Sequence, residues 1–291
     1  MNYVLKNEQL TVEISSVGAE VISVKRAACE YMWQGGKEEL WGGCSPLLFP
    51  ICGRLNDGKY SYRGKRYEMA LHGFVRHTEL SCLSADDEAV VFFAEANEDT
   101  KKIYPFDFAL TLTYRVEGAK LALSAKIENR GDEVMPATFG GHPGFRVPLD
   151  GDSDFSDWEL EFSEECEPDQ IEIAPSGLQS GVRMAYALKD RRILPLSHSL
   201  FQIDGIFMAR MARRVTLKSA KSERSVTLDY PDMPYLGIWH DAQTDAPFVC
   251  IEPWCGLPDY ECRPLDFSEK AQMFHLPPKS VKFVGFDMIF N

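Results

Sequence analysis

Apolar and polar side chains alternate along residues 108–128, which read FALTLTYRVEGAKLALSAKIE. Large apolar residues occupy the even positions up to Val116 and the odd positions from Leu121 onward. A period of two places successive side chains on opposite faces of a β-strand. Because the short segment 116–120 (Val-Glu-Gly-Ala-Lys) separates the two runs, we predict two antiparallel strands joined as a hairpin.

Similar short runs recur along the chain and predict further strands. They lie at residues 9–14, 21–25, 59–62, 66–69, 79–84, 89–95, 157–162, 206–210, 215–218, 225–230, 235–239, 248–252 and 280–289. The last run slips out of phase at Val284-Gly285, which predicts a β-bulge. Helical periodicity is scarce, and we expect only short helical turns, at residues 100–104 and 185–189.

The spacing of strands and turns indicates the fold class. The 17 prolines and 21 glycines are spread over the chain and separate the runs, a pattern typical of a sandwich. We therefore predict an all-β protein, a large antiparallel β-sandwich with few short helices. No repeat, low-complexity tract or linker is visible, so residues 1–291 are expected to form a single domain.

The charge balance restricts the partners. The chain carries 31 basic and 44 acidic residues, a net charge of −13. Such a charge repels phosphate backbones and anionic lipid surfaces, so we expect neither nucleic acid nor a membrane as a partner. We see no signal-peptide pattern, and no apolar run approaches the roughly 20 residues that span a bilayer.

The chain has eight cysteines, none in a Cys-x-x-Cys pair or at zinc-finger spacing. We interpret them as reduced thiols that pack as small apolar residues in a cytoplasmic protein. A metal site assembled from distant segments stays open on this evidence.

One imidazole, His142, lies in the segment Gly-Gly-His-Pro-Gly-Phe at residues 140–145. The glycines permit backbone angles that other residues avoid, and Pro143 restricts the exit. We therefore expect a sharp turn that keeps the ring out of the core. An unperturbed pKa of about 6.5 suits a proton donor or acceptor at neutral pH. The alternative is that the ring only caps a neighbouring carbonyl group.

One carboxylate, Glu252, lies in the apolar segment Phe-Val-Cys-Ile-Glu-Pro-Trp at residues 248–254. Strand alternation places it on the same face as Phe248 and Cys250. A carboxylate on an apolar face is costly unless it is paired or its pKa is raised. A buried ion pair with an arginine is the alternative to a functional role. An imidazole and a carboxylate together are what proton transfer in both directions requires.

Three further segments place polar side chains among apolar ones, and they contribute Arg54, His72, Arg76 and Asp204. Each alone also fits a surface arginine or a residue in a turn. Aromatic residues are plentiful in the neighbouring sequence: Trp33, Trp41, Phe74, Phe145, Trp239 and Trp254. Aromatic faces beside such donors and acceptors are typical of a sugar site.

Motifs of other chemistries are absent from the sequence. It has no Gly-x-Ser-x-Gly elbow, no phosphate-binding Gly-x-x-x-x-Gly-Lys-Ser/Thr loop and no Gly-x-Gly-x-x-Gly after a strand. Nucleotide cofactors and serine-hydrolase chemistry therefore have no support.

Together, in this order on an all-β chain, these segments resemble the aldose 1-epimerase (galactose mutarotase) superfamily. The resemblance extends over almost the whole chain, to the closing Lys-Phe-Val-Gly-Phe at residues 282–286. It is closest to the LacX-like branch. It is more distant to glucose-6-phosphate 1-epimerases, which carry a similar His-Gly-Phe-x-Arg stretch. The fold that it implies is the large antiparallel supersandwich of galactose mutarotases.

The resemblance also implies a reaction, the interconversion of the α and β anomers of an aldose by an isomerase. In it Glu252 is the general base and His142 the general acid, and no metal or organic cofactor is required. The positions that match sugar-contacting residues of the family are Arg54, His72 and Asp204. Arg76 matches the arginine of the His-Gly-Phe-x-Arg branch, where it holds a hydroxyl or an anionic group.

The sequence departs from the well-studied galactose mutarotases, so their sugar preference does not transfer. Those proteins have an Asn-His stretch where this chain has Leu71-His72. They also have a longer polar segment around the catalytic histidine.

Several alternatives stay open. Arg54, Arg76 and Lys59 would suit a hexose 6-phosphate. A glycoside hydrolase would need a second carboxylate, for which Asp204 is available. A non-catalytic carbohydrate-binding protein would not need His142 and Glu252. Either a monomer or a homodimer fits the sequence.

Overall fold

The computed structural model describes residues 1–35, 40–151, 153–202, 205–261 and 266–291. Short β-strands make up most of its regular structure, as the alternating runs predict. The strands are β1 (Asn2–Lys6), β2 (Thr11–Ser15), β3 (Val21–Arg26), β4 (Cys29–Glu30), β5 (Leu47–Leu48), β6 (Lys59–Tyr62), β7 (Lys65–Glu68), β8 (Ser81–Ala85), β9 (Ala89–Glu95), β10 (Phe108–Glu117), β11 (Lys120–Asn129), β12 (Met135–Ala137), β13 (Gly140–Gly141), β14 (Gly144–Arg146), β15 (Trp158–Phe162), β16 (Asp169–Ile173), β17 (Gln179–Ala185), β18 (Ile193–Pro195), β19 (Ile206–Ala209), β20 (Arg214–Ser219), β21 (Val226–Asp229), β22 (Tyr235–Trp239), β23 (Phe248–Trp254), β24 (Phe274–Leu276) and β25 (Val281–Phe290).

Helical structure is short, as expected. The turn predicted at residues 100–104 is the helix α1 (Glu98–Ile103), which begins where the Asn97 side chain accepts hydrogen bonds from two backbone N–H groups. Single 3₁₀ turns lie at Asn56–Gly58, Val75–His77, Phe155–Asp157, His198–Phe201 and Phe267–Glu269. Within the described part of the chain, no helix has the length and apolar character needed to cross a membrane.

The helical turn predicted at residues 185–189 is wrong. Ala185 ends β17, and Lys189 pairs with Ile193 across a tight reversal. Asp190 and Arg191 have φ angles of 50° and 58°. This left-handed conformation turns the chain back and does not continue a right-handed helix.

A nine-stranded sheet forms one layer of the sandwich, in the order β18-β15-β20-β21-β25-β11-β10-β9-β8. Its centre contains the predicted hairpin, since β10 and β11 pair antiparallel from Phe108↔Asn129 to Glu117↔Lys120. The large apolar residues of both strands are buried, which confirms that the alternation marks the core face.

The bulge predicted in the last strand is wrong. The pairing of β25 with β11 runs without a register shift from Lys120↔Ile289 to Glu128↔Val281. The alternation of apolar residues changes phase in the sequence because Val281 and Phe283 are apolar but exposed, at 45% and 60%.

An eight-stranded sheet forms the second layer, in the order β17-β16-β19-β22-β23-β13-β5, with β14 also paired to β23. All seven residues of β23 are buried. Val249 and Ile251 join a hydrophobic cluster that includes residues of the nine-stranded sheet. Phe248 and Cys250 belong to a separate cluster, since alternation turns them to the other face. Glu252 therefore lies on the face of β23 that points away from the core between the two layers.

Candidate active site

A cavity of about 370 Å³ opens over that second face of β23, within the usual size range of small-molecule sites. Five of the six residues predicted from the sequence line it: Arg54, His72, Arg76, His142 and Glu252. The sixth, Asp204, lies outside the described residues. The structure thus brings together side chains that are up to about 200 positions apart in the chain.

His142 and Glu252 face each other at the base of the cavity. The distance from His142 Nε2 to Glu252 Oε2 is 3.3 Å. Glu252 is 1% exposed and His142 8% exposed. Backbone hydrogen bonds hold both segments: Ile251 N donates to Pro143 O at 3.1 Å, and His142 N donates to Pro46 O at 3.0 Å. Both groups are therefore presented by paired backbone and not by a free loop.

The glycines beside His142 have a different role from the one expected. Gly140, Gly141 and Gly144 do not adopt left-handed φ angles. A Cβ on Gly140 would lie 2.8 Å from Cys52 Sγ, and one on Gly144 would lie 2.7 Å from the Trp41 ring. These glycines thus allow close packing around the histidine. The expectation that the ring stays out of the interior is also wrong, because His142 is buried.

Burial is the main reason that the pKa of the His142 imidazole is lowered to about 3, and the nearby Arg76 guanidinium acts in the same direction. Desolvation of the enclosed ring is the largest of these effects, so the imidazole is neutral at neutral pH. This differs from the sequence expectation of an unperturbed pKa. The ring stacks on Trp41, with centroids 4.9 Å apart.

His72 is a neutral hydrogen-bond donor. Its Nδ1 accepts a hydrogen bond from Gly53 N at 3.0 Å, so the proton of the neutral ring is on Nε2. Burial, followed by the charges of His142, Arg76 and Arg54, lowers the pKa of His72 well below its ordinary value. Its ring lies edge-on to that of His142, with centroids 5.6 Å apart.

Arg54 and Arg76 border the cavity. In the described ranges neither guanidinium forms an ion pair or a hydrogen bond; Arg54 is exposed and Arg76 half-buried. Burial lowers the pKa of Arg76. Lys59, considered above for a phosphate, is not among the lining residues and instead pairs with Glu68 at 3.7 Å. Both cations thus border the space that a ligand would occupy.

Three indole rings, Trp41, Trp239 and Trp254, form walls of the cavity. Trp41 meets Trp239 edge-on at 5.7 Å. Trp254 is 2% exposed, and its buried Nε1 has no hydrogen-bond partner within the described residues. The other aromatic residues named from the sequence support the site from outside or pack elsewhere. For example, the Trp33 indole donates to Trp41 O at 2.9 Å.

The aldose 1-epimerase family model matches residues 1–281. The chain belongs to the aldose 1-epimerase family. The LacX proteins of Lactococcus lactis subsp. lactis, plasmid and chromosomal, are 33% identical to it over 270 residues, which cover 88% of this chain and 88% of each relative.

Two solved structures are similar over the whole chain. A galactose mutarotase related enzyme from Lactobacillus acidophilus has a TM-score of 0.94 at 32% identity, with 100% of this chain and 97% of the other covered. A galactose mutarotase-like protein from Lactobacillus casei ATCC 334 has a TM-score of 0.94 at 30% identity, with 100% of both chains covered. These matches confirm the antiparallel sandwich predicted for this aldose 1-epimerase family member.

Some residues at the site were not found from the sequence. Ile173, Gly177, Phe207 and Pro258 also line the cavity of this family member, and they carry no local signal because they lie in separate loops and strands. Cys250 did carry a signal, since it shares a strand face with Glu252. Its thiol lies close enough to His142 and Glu252 for all three side chains to contact one ion.

Proposed function

We propose that this protein interconverts the α and β anomers of an aldose by acid/base-catalysed opening and closing of the sugar ring. The observation that carries the proposal is the His142–Glu252 pair, 3.3 Å apart at the base of a cavity. Membership of the aldose 1-epimerase family supports the same conclusion. The reaction needs one group that accepts a proton from the anomeric hydroxyl and one that donates a proton to the neighbouring ring oxygen.

In the proposed reaction Glu252 removes the proton of the anomeric hydroxyl group while His142 gives a proton to the ring oxygen. The bond between the anomeric carbon and the ring oxygen breaks, and the open-chain aldehyde forms. Rotation of the carbonyl end presents its other face. Closure reverses both proton transfers, so the protein ends in its starting state. Positioned proton-transfer groups each contribute roughly 10²–10⁴-fold.

The burial of His142 determines its protonation state before the sugar binds. Because the pKa of His142 is lowered, the imidazolium is the minor form before the sugar binds. The proposed reaction requires that the pair carries one transferable proton when the sugar ring opens. At 3.3 Å that proton can be placed on His142 Nε2 with Glu252 as the base.

The surrounding side chains suit a sugar. His72 offers an Nε2–H donor, and Arg54 and Arg76 offer guanidinium donors to hydroxyl oxygens. The indole faces of the tryptophans suit the CH-rich faces of a pyranose ring. In this proposal the rim and walls of the cavity bind the sugar and the pair at its base transfers the protons.

The proposal is tested by exchange NMR on free aldoses. We expect magnetisation transfer between the α and β anomers that is faster with protein than in buffer alone. Binding without accelerated exchange would contradict the proposal and favour a carbohydrate-binding protein. Release of reducing sugar from oligosaccharides, without accelerated anomer exchange, would favour a glycoside hydrolase.

A hexose-6-phosphate 1-epimerase is the second candidate. The observation in its favour is that Arg54 and Arg76 both line the cavity, because a phosphate accepts hydrogen bonds from guanidinium groups well. Against it stand the net charge of −13 and the absence of Lys59 from the cavity lining. The same NMR assay on an aldose and its 6-phosphate separates the candidates. A preference above about tenfold for the phosphate, or about 1.4 kcal/mol, would overturn our preference for neutral sugars.

A further inference from the structure

Cys250 places a thiol beside the proposed catalytic pair. Cys250 and Glu252 are two positions apart on β23 and therefore project from the same face. His142 reaches that face from the segment between β13 and β14, both of which pair with β23. The sheet thus brings one imidazole, one thiol and one carboxylate together, each from a buried residue.

The distances fit a tetrahedral metal ion. A ring nitrogen of His142, Cys250 Sγ and a carboxylate oxygen of Glu252 all lie within 4.8 Å of one another. Around a tetrahedral Zn²⁺, with metal–ligand bonds of about 2.0–2.3 Å, ligand atoms are about 3.3–3.6 Å apart. The His142–Glu252 distance of 3.3 Å already matches this spacing. Closing the thiol distance from at most 4.8 Å to this spacing requires a movement of up to about 1.5 Å.

The three ligand atoms, one nitrogen, one sulfur and one oxygen, determine which kind of cation the site would bind. Sulfur and nitrogen donors favour Zn²⁺ and similar ions, whereas Mg²⁺ and Ca²⁺ prefer oxygen donors only. His142 and Glu252 line the cavity, which gives an ion a route to two of the three ligands; the thiol of Cys250 lies behind them, fully buried. The cavity also leaves a fourth position for water or a sugar oxygen, as in zinc sites with three protein ligands.

We propose that His142, Cys250 and Glu252 form a binding site for Zn²⁺, and that the bound ion inhibits the protein by occupying both proton-transfer groups. Ion binding does not depend on the proposed function. The inhibition does rest on it, because a liganded imidazole and carboxylate cannot exchange protons with a sugar. The ion competes with the sugar reaction and is not its cofactor.

Cobalt titration tests the site directly. The chelator-treated, reduced protein is titrated with Co²⁺, whose near-ultraviolet absorption reports a thiolate ligand. We expect one equivalent to produce the thiolate band and added Zn²⁺ to remove it. Cys250→Ser should lose the band, whereas Cys255→Ser, which removes a buried thiol directly after the same strand, should keep it. No band in the wild-type protein, or a band that survives in Cys250→Ser, would overturn the proposal.

A second variant keeps the test decisive if Cys250→Ser does not fold. Glu252→Gln keeps the thiol but replaces the carboxylate ligand, and we expect it to bind Co²⁺ at least tenfold more weakly. Even the loss of groups that merely support metal ligands costs about 10–100-fold. Unchanged Co²⁺ affinity in Glu252→Gln would contradict the assignment of the site.

Activity measurements separate the inhibition from the proposed function. In the exchange assay, Zn²⁺ should suppress wild-type activity, and chelator should restore it. Cys255→Ser should keep the wild-type sensitivity to Zn²⁺. If no anomer exchange occurs at all, the proposed function fails while the Co²⁺ band still decides whether the site exists. If exchange occurs and saturating Zn²⁺ leaves it unchanged, the inhibition is refuted.

Discussion

His142 lies in a setting that disfavours its charged form. The ring is enclosed by Trp41 on one side and by the buried backbone of β23 on another, and Arg76 adds a positive charge nearby. The general acid of the proposed reaction therefore needs a nearby proton source, and Glu252 lies 3.3 Å from its Nε2. This proximity explains how a buried imidazole can serve as a proton donor without being an imidazolium at rest.

The effect of Arg76 on the pKa of His142 can be tested by the pH dependence of the anomer-exchange reaction. A nearby cation lowers the pKa of His142, so Arg76→Gln should raise that pKa. The protonated form of the pair then persists to higher pH, and the alkaline limb of kcat/KM moves to higher pH. The measurement is the anomer-exchange rate as a function of pH at low sugar concentration.

Arg115→Gln is the matched control for Arg76→Gln, because Arg115 is an exposed arginine on β10 that does not line the cavity. Its alkaline limb should coincide with that of the wild-type protein. An alkaline limb in Arg76→Gln that stays in place or moves to lower pH would contradict the electrostatic account of His142.

Strands were predictable where one face is buried and the other exposed. The hairpin β10–β11 is of this kind, and its boundaries follow from the alternation of its side chains. The strands that hold His142, β13 and β14, are only two and three residues long and rich in glycine. They exist because β23 pairs with them, and such long-range pairing leaves no local pattern in the sequence.

In the last strand, β25, an exposed apolar residue caused the wrong prediction of a bulge. Phe283 lies on the solvent face, and its apolar character imitates a shift of register. Gly285 marks a close approach, since a Cβ there would lie 2.1 Å from Leu123 O of the neighbouring strand. The glycine is needed for contact between strands and does not mark a bulge.

Gly285→Ala should therefore destabilise the nine-stranded sheet. The added methyl group meets backbone, which cannot move aside as a side chain can, so we expect a loss of about 1–3 kcal/mol in the free energy of unfolding. Urea unfolding followed by circular dichroism measures it. Gly151→Ala, where a Cβ meets no atom within 4 Å, is the control and should change stability little. Equal stability of the two variants would show that the close approach has no energetic cost.

At the scale of the molecule, the sequence alone did not place the site residues near one another. Arg54, His72 and Arg76 come from loops far from β23 in the chain, and no periodicity links them to it. Their grouping was predicted through the family resemblance, and the cavity confirms that they lie together. The role of each residue stays a prediction, as does the role of Asp204.

The single-domain organisation also stays a prediction, and unfolding tests it. A single domain should show one calorimetric transition that coincides with the loss of β-sheet circular dichroism and of tryptophan fluorescence. The tryptophans of the cavity and the strands of both layers then report the same event. Two resolved transitions, each seen by a different probe, would contradict one domain over residues 1–291.

The central claim is that Glu252 is the base that opens the sugar ring, and Glu252→Gln tests it most directly. The change keeps the shape of the side chain and removes its ability to accept a proton. We predict that the anomer-exchange rate measured by NMR falls by at least about 10²-fold, while the affinity for the sugar stays within a few-fold. Glu68→Gln, at an exposed glutamate outside the cavity, should retain the wild-type rate. A Glu252→Gln protein that exchanges anomers at the wild-type rate would contradict the account.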